Sequence, residues 1–232
     1  NHLERVAVFV DAGYLFAQGS AAIAGAKMSR SALSLDARRV RDVLINFAKS
    51  KAVGCSLLRI YWYDGALPGV YLTSDQARLG EVDDVKLRLG VLSKTGQHRG
   101  VDSLLVNDLL ELARQRAISD AVLVTADDGL RLAVQIAQSL GVRVHLLGIE
   151  PSRANQAIAL RFEVDTVSEW TRDVVAGFLA QRQSDGASEP AISAITELED
   201  VPEVMADGLL ASELQSILDY VEKTRSIPFE ID

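Results

Sequence analysis

The stretch from Ala121 to Leu147 changes from a strand-like pattern to a helical one and back again. Its ends, Ala121–Val124 and Val142–Leu147, are short apolar runs rich in β-branched residues, which favours buried strands. Between them, apolar residues recur at helical spacing from Leu130 to Leu140, and the glycine that follows is typical of a helix end. A strand, a helix and a strand of these lengths predict a right-handed crossover between two parallel strands.

Two further segments have the pattern of buried strands. Arg5–Val10 is apolar and rich in valine, and Leu57–Asp64 alternates aromatic and aliphatic residues. Helical periodicity over Asp36–Lys51, and from Asp102 to about Arg116, supplies layers that can cover a sheet. The sequence therefore predicts an α/β fold with a mostly parallel central sheet and helices on both faces.

Four segments have weaker patterns. Gly19–Ser34 is small and polar without clear periodicity, which indicates a flexible excursion or an irregular helix. A helix is predicted around Ser74–Lys86, a last strand at Phe162–Val167 and a further helix at Thr171–Arg182.

Aspartates follow the predicted strands at the edge where ligands bind. Asp11 ends the first strand, and Asp127 and Asp128 follow the first strand of the crossover. The carboxyl ends of parallel strands meet at one edge, and open α/β sheets bind ligands there. We expect a shared acidic site at this edge, although Asp11 alone could equally cap the next helix. Asp64 ends another predicted strand and could touch the site or serve as a turn residue.

Two more aspartates lie on the predicted helix that begins near residue 102. Asp102 starts this helix, where the simplest explanation is a helix cap. Asp108 has leucines one turn away on either side, so its carboxylate borders apolar surface and needs a partner. With Asp11, Asp127 and Asp128, these residues form the candidate acidic cluster.

The residue types in this cluster indicate the chemistry of the site. Carboxylates without histidine or cysteine are the ligands of a hard cation such as Mg²⁺ or Mn²⁺. None of the three histidines, His2, His98 and His145, is spaced as a metal ligand to another, and Cys55 is the single cysteine. Divalent ions held by carboxylates activate water and stabilise the charge that builds on a phosphodiester during hydrolysis. Since the phosphate-loop and dinucleotide-binding motifs are missing, nucleotide cofactors are not supported.

Charge is unevenly distributed along the chain. The formal net charge is −8, but residues 1–183 hold 22 basic and 20 acidic residues, so the acidity belongs to the tail. A mildly basic body suits a nucleic-acid partner. Three arginines within residues 38–41 could meet phosphates or lie on a solvated helix face. Tyr61 and Tyr63 could stack on bases or pack in the core.

Composition divides the chain into three parts. Residues 1–183 are expected to form the folded domain. Residues 184–207 contain seven acids, two prolines and no Lys or Arg, which predicts a disordered linker. Residues 208–232 are expected to include a short amphipathic helix that docks on the body, on a second copy of the chain (a homodimer) or on another protein. No apolar run reaches the roughly 20 residues of a membrane span, and the N-terminus lacks a secretory pattern, so a cytoplasmic protein is expected.

Three motifs together resemble a known family. They are VFVDAGYL at Val8–Leu15, RGVDSLLVNDLLELA at Arg99–Ala113, and VLVTADDGLRLAVQIAQSLGVRVHLLG at Val122–Gly148. In this order they resemble the NYN domain family, the PIN-like ribonucleases that include the LabA-like bacterial proteins. The resemblance covers most of residues 5–170 and implies a PIN-like three-layer fold and metal-dependent cleavage of RNA.

The resemblance also implies roles for five aspartates. The expected catalytic residues are Asp11, Asp102, Asp127 and Asp128. Asp11 and Asp127 would bind Mg²⁺ or Mn²⁺ directly, Asp102 would bind or orient it, and Asp108 would be a further ligand or would support the waters of the ion. Asp128 would have a supporting part as well.

The last motif departs from the family pattern. The family usually has a second Asp two residues after the first, and that place is Gly129 here, whereas the second acid is Asp128. Adjacent residues in an extended turn point apart, so Asp128 is a weaker candidate for the missing ligand. Tyr14 stands where many members have Asn, and Arg99 stands where many have Lys.

Substrate contacts are expected beside the cluster, where Arg99, His98 and Arg131 would meet phosphate oxygens and Thr125 would contribute its hydroxyl. The expected function is metal-dependent, endonucleolytic cleavage of single-stranded RNA. An alternative is a regulatory PIN-like module that binds RNA or protein and cleaves weakly or not at all. A small-molecule phosphohydrolase is a third interpretation, disfavoured because no DxD motif follows the first strand.

Overall fold

The computed structural model describes residues 4–66, 72–91 and 100–182. The chain divides into two compact units, Asn1–Ser184 and Asp185–Asp232, and the second lies outside the described residues. The predicted linker and tail helix fall there, so both stay predictions. No helix in the described ranges is long and apolar enough to cross a membrane.

A parallel sheet forms the centre of the first unit. Its strands are β1 (Arg5–Asp11), β3 (Ser56–Ala66), β4 (Val85–Val91), β5 (Asp120–Val124), β6 (Arg143–Ile149) and β7 (Thr166–Trp170). They lie in the order β4-β3-β1-β5-β6-β7, and every neighbouring pair is parallel. A separate antiparallel pair joins β2 (Leu33–Leu35) to β8 (Leu179–Gln181).

Helices cover both faces of this sheet, which confirms the predicted α/β fold. They are α1 (Ala12–Ala24), α2 (Ala37–Lys51), α3 (Ser74–Gly80), α4 (Val101–Arg114), α5 (Arg131–Ser139), α6 (Ser152–Asn155), α7 (Ile158–Glu163) and α8 (Arg172–Ala176). Short 3₁₀ turns occur at Arg30–Ala32 and Asp128–Leu130. Apolar residues of α1 and α2 pack on one face of the sheet, and those of α4, α5 and α7 pack on the other.

Successive residues of β1 point into two different cores, as the alternation of a strand requires. Val8 belongs to the core under α1 and α2, whereas Phe9 belongs to the core under α4 and α5. The Phe9 ring stacks on Tyr61 with 5.4 Å between the ring centroids, and Tyr61 is buried. Core packing is therefore the role of Tyr61, and this face of β3 is closed to a stacked base.

Several of the weaker predictions differ from the structure. The helix predicted around Ser74–Lys86 ends at Gly80, and Val85 and Lys86 belong to β4. Phe162–Val167 contains the last residues of α7 and the first residues of β7 rather than one strand. In Thr171–Arg182 the helix stops at Ala176, and the chain then pairs as β8 with β2. The partner strand lies more than 140 residues earlier in the chain, so this pairing has no local sequence signal.

Gly148→Ala is expected to lower the free energy of unfolding by about 1–3 kcal/mol, because the added methyl group would overpack the space beside β6. An added Cβ would overlap the Ser152 Cβ and lie 2.7 Å from Gln156 Oε1. Gln156 cannot easily withdraw, since its amide donates a hydrogen bond of 2.8 Å to the Thr125 carbonyl. Urea unfolding of the wild type and the variant measures the loss.

Gly80→Ala is the matched control, because an added Cβ at the end of α3 meets no atom within 4 Å. Its stability is expected to stay the same or rise slightly. Equal stability of the two alanine variants would show that a methyl group at residue 148 does not overpack β6.

Candidate functional site

A pocket of about 320 Å³ lies at the carboxyl edge of the sheet, and we call it the acidic pocket. Three of the predicted carboxylates, Asp11, Asp102 and Asp127, line it together with Asp64. Its other lining residues are Gly13, Tyr14, Tyr63, Gly65 and Val101. The four acids come from the ends of β1 and β3, from the first turn of α4 and from the turn after β5, so the parallel sheet brings distant segments together.

Asp11 is both the last residue of β1 and the N-cap of α1. Its Oδ1 accepts a hydrogen bond of 3.2 Å from the Tyr14 amide, and its Oδ2 accepts one of 3.4 Å from the Thr125 hydroxyl. A Cβ at residue 13 would lie 3.1 Å from Oδ1, so Gly13 leaves room for the carboxylate. The helix-cap interpretation of Asp11 is therefore confirmed, and the cap position itself faces the pocket.

Asp127 also combines a cap position with a place in the pocket lining, three residues after the end of β5. Its Oδ1 accepts a hydrogen bond of 3.0 Å from the Gly129 amide and caps the 3₁₀ turn that leads into α5. The Asp127 amide donates to the Thr125 hydroxyl at 3.3 Å. Because this hydroxyl also donates to Asp11, Thr125 links the Asp11 carboxylate to the backbone of Asp127 across neighbouring strands.

Asp102 lies in the first turn of α4 but does not cap the helix. Gly100 is the N-cap, with φ of 112°, a left-handed conformation that glycine adopts easily. The simple cap interpretation of Asp102 is therefore wrong. A carboxylate in the first turn is stabilised by the partial positive charge of the helix N-terminus, which gives Asp102 a place beside the pocket at low cost.

Asp64 is the most deeply buried acid of the pocket, with 4% of its surface exposed. Its carboxylate pairs with the Arg30 guanidinium and accepts hydrogen bonds from Gln76 Nε2 (3.0 Å) and the Gly65 amide (2.7 Å). A buried carboxylate needs such partners because its charge has lost water. Asp64 therefore supports the wall of the pocket with its oxygens already engaged.

Sequence reasoning missed both partners of Asp64. Arg30 lies in the segment without periodicity, so nothing local indicates its contact. Gln76 does have a local signal, since Thr73 and Gln76 form a capping box at the start of α3. That signal locates the helix but leaves the contact with Asp64 unpredicted.

The model of the NYN domain family matches residues 5–170. This chain belongs to the NYN domain family. The domain is a member of a PIN-like nuclease family, as the three motifs predicted. It is 42% identical to the uncharacterized protein y4oD of Sinorhizobium fredii over 177 residues, which cover 69% of this chain and 83% of that protein.

A solved structure supports the fold of this NYN domain. The protein of unknown function VPA0982 from Vibrio parahaemolyticus matches with a TM-score of 0.52, over 78% of this chain and 98% of that one. The two sequences are 17% identical, so the match concerns the fold alone.

The second acid of the last NYN motif lies outside the acidic pocket. Asp128 is exposed in the 3₁₀ turn and is not among the lining residues. At the family's usual position, a Cβ on residue 129 would lie 3.1 Å from Asp127 Oδ2. In this NYN domain a side chain at residue 129 would therefore crowd the Asp127 carboxylate.

Asp108 has the partner that its apolar surroundings predicted. Its Oδ2 accepts hydrogen bonds from the Tyr63 hydroxyl (2.9 Å) and from Arg88 Nε (3.1 Å). Burial, reinforced by the Asp108 charge, raises the pKa of Tyr63 far above its ordinary value, so Tyr63 stays a neutral donor. Asp108 is not a lining residue of the acidic pocket and reaches its wall through Tyr63.

Tyr14 connects α1 to the end of β6 beside the NYN site. Its hydroxyl donates to Asn155 Oδ1 at 2.8 Å and accepts from the Ile149 amide at 3.0 Å. Burial raises the pKa of Tyr14 to about 12, which keeps this donor protonated. The residue that replaces the family's usual Asn is therefore held firmly at the wall.

The predicted substrate contacts are only partly described. Thr125 is buried beside Asp11, and Arg131 is exposed at the start of α5, outside the lining of the acidic pocket. His98 and Arg99 lie outside the described residues. Within the described ranges, no group of three or more His, Cys, Asp or Glu side chains could hold a metal ion in the present arrangement.

Proposed function

We propose that this NYN domain is a metal-dependent ribonuclease that cleaves single-stranded RNA internally at the acidic pocket. The observation that carries the proposal is that Asp11, Asp102 and Asp127 line one pocket although they come from three separate elements. Carboxylates in such number at a sheet edge are costly for folding, which favours a functional reason for their presence.

The donor chemistry of the pocket suits Mg²⁺ or Mn²⁺, which prefer carboxylate oxygens. Asp11, Asp102 and Asp127 would hold the ion, which requires their side chains to turn toward one another. Asp11 and Asp127 each engage Oδ1 with a backbone amide, so Oδ2 of each carboxylate would be the oxygen offered to the ion. When bound, such an ion makes a water molecule more acidic and stabilises the charge on the phosphodiester.

Other residues of the chain would orient the reaction. The Thr125 hydroxyl orients the Asp11 carboxylate through its hydrogen bond to Oδ2. Tyr63 and Val101 supply the aromatic and aliphatic part of the pocket lining. Arg131, with His98 and Arg99, would contact phosphate oxygens and hold the RNA backbone beside the pocket.

The experiment compares cleavage of end-labelled single-stranded RNA in Mn²⁺, in Mg²⁺ and in EDTA. Internal cleavage is expected with either ion and none in EDTA. Asp11→Asn is expected to be at least about 100-fold slower, because the ion that stabilises the developing charge would lose one of its carboxylate ligands. Asparagine still caps a helix well, so α1 keeps its hydrogen bond from the Tyr14 amide.

Asp36→Asn is the matched control for this substitution. Asp36 caps α2 by accepting from the Arg39 amide at 3.0 Å, as Asp11 caps α1, but it lies outside the acidic pocket. This variant is expected to cleave RNA as fast as the wild type. Equal cleavage by the wild type and Asp11→Asn, or undiminished cleavage in EDTA, would contradict the proposal.

A second candidate function is a regulatory module that binds RNA or protein without cleaving. The exposed position of Asp128 and the glycine at residue 129 favour it, since the pocket then has one acid fewer than the family pattern. Calorimetry with Mn²⁺ separates the two functions. Binding that is lost in Asp11→Asn supports the enzyme, whereas RNA binding with no Mn²⁺ binding supports the module.

A further inference from the structure

A second pocket, of about 530 Å³, lies beside the acidic pocket, and we call it the Arg30 pocket. The two pockets share Asp64 and Gly65 of β3 as lining residues, so they adjoin at this short piece of the strand. Phe16 and Leu79 give the Arg30 pocket apolar walls. Its volume is within the range of roughly 300–1,000 Å³ that small-molecule sites have in proteins.

Arg30 is fixed in this pocket with its guanidinium plane defined. The guanidinium carbon lies 4.5 Å from the centre of the Phe16 ring, so one face of the cation is covered. Arg30 Nη1 donates a hydrogen bond of 2.7 Å to Asp64 Oδ1, which holds one edge of the guanidinium. The side chain is nevertheless 36% exposed. A planar cation that is held on one face and one edge can receive a flat ring on its other face.

The lining of the Arg30 pocket also includes a hydrogen-bond acceptor without a partner in the described part of the chain. Asp75 lines the pocket, and its Oδ1 is buried without a hydrogen-bond partner in the described part of the chain. The nearest cation, Arg182 Nη2, is 3.9 Å away, which is too far for a hydrogen bond. A ligand that brings an N–H group would complete this acceptor.

We propose that the Arg30 pocket binds the nucleobase of the nucleotide next to the phosphate in the acidic pocket. A base combines a flat ring for Arg30 with N–H groups for Asp75, and the shared wall at Asp64 and Gly65 brings its attached phosphate to the acidic pocket. The inference rests on the proposed function, because that function makes RNA the substrate. Stacking is possible with any base, so the pocket is expected to bind all four bases. Purines are expected to bind most tightly because their larger rings stack more strongly.

The test measures binding of AMP, GMP and ribose 5-phosphate by calorimetry in EDTA, without any divalent ion. AMP and GMP are expected to bind at least about fivefold more tightly than ribose 5-phosphate, since one stacked base contributes at least that much. Ser31→Trp, which fills the pocket from its exposed rim, is expected to remove this difference.

Ser29→Trp is the matched control. Ser29 and Ser31 are both exposed and share one hydrogen bond of 3.0 Å, so either substitution loses the same contact, but only Ser31 lines the pocket. Ser29→Trp is expected to keep the preference for AMP over ribose 5-phosphate. Thermal unfolding of both variants checks that they fold equally.

Equal affinity for AMP and ribose 5-phosphate in the wild type would overturn the base site, and so would an equal loss in both tryptophan variants. Neither result depends on cleavage. Ion-dependent cleavage without base-dependent binding would overturn the proposed base site but would still support the proposed ribonuclease function. If the protein cuts no RNA but shows base-dependent binding that Ser31→Trp abolishes, the base site is supported and the ribonuclease function is overturned.

Discussion

Asp127→Asn is expected to slow ion-dependent cleavage of RNA by at least about 100-fold. Asparagine can still accept the hydrogen bond that Asp127 receives from the Gly129 amide, so the turn before α5 keeps its shape. What the variant loses is the negative charge that faces the acidic pocket. The initial rate of cleavage in Mn²⁺ measures the effect, and thermal unfolding shows whether the fold is retained.

Asp128→Asn is the sharpest control for this prediction, because it removes the same charge one residue later. Asp128 is exposed and does not line the pocket, so its rate is expected to stay within about two- to threefold of the wild type. If Asp128→Asn were as slow as Asp127→Asn, Asp128 would be needed for cleavage and the boundary of the pocket would be wrong.

Arg30→Met is expected to lower the free energy of unfolding by about 2–3 kcal/mol, less than the roughly 3–5 kcal/mol lost when a fully buried ion pair is broken, because Arg30 is itself 36% exposed. Asp64 is 4% exposed and would be left as a buried charge, with only Gln76 and the Gly65 amide as donors. Methionine preserves most of the apolar stem that packs on Phe16. The loss is therefore assigned to the ion pair and is measured by urea unfolding.

Arg39→Met provides the comparison for Arg30→Met. Arg39 pairs with Asp36 on the surface, where the side chains are 70% and 50% exposed. Water and salt screen such a pair, and its loss is expected to cost less than about 1 kcal/mol. A similar loss of stability in the two variants would show that burial of Asp64 is not what makes Arg30 important.

The sheet and two of the pocket's acids could be predicted because their signals are local. The apolar runs of β1 and β5 identify parallel strands, and the carboxyl ends of such strands share one edge. Asp11 and Asp127 follow those runs directly, so the topology alone brings them together. Asp108 could be predicted to need a partner, since leucines flank it on the helix, but neither Tyr63 nor Arg88 could be identified as that partner.

The remainder of the site depends on contacts between segments that are distant in the chain. Arg30 and Asp64 are 34 residues apart, and the segment around Arg30 has no helical or strand period from which its position follows. Residues 179–181 have a helix-like sequence context, yet they extend because β2 offers them a strand partner. In both cases tertiary packing decides between local alternatives that the sequence leaves nearly equal.

The cap positions of Asp11 and Asp127 have a consequence for how this protein can evolve. Aspartate and asparagine codons differ by a single base, and both residues start a helix or turn almost equally well. One mutation at either position would therefore remove a charge from the acidic pocket while α1 or the turn before α5 stays intact. Under the proposed function, a lineage with this architecture would lose RNA cleavage in one step and keep its fold, with little loss of stability to select against the change.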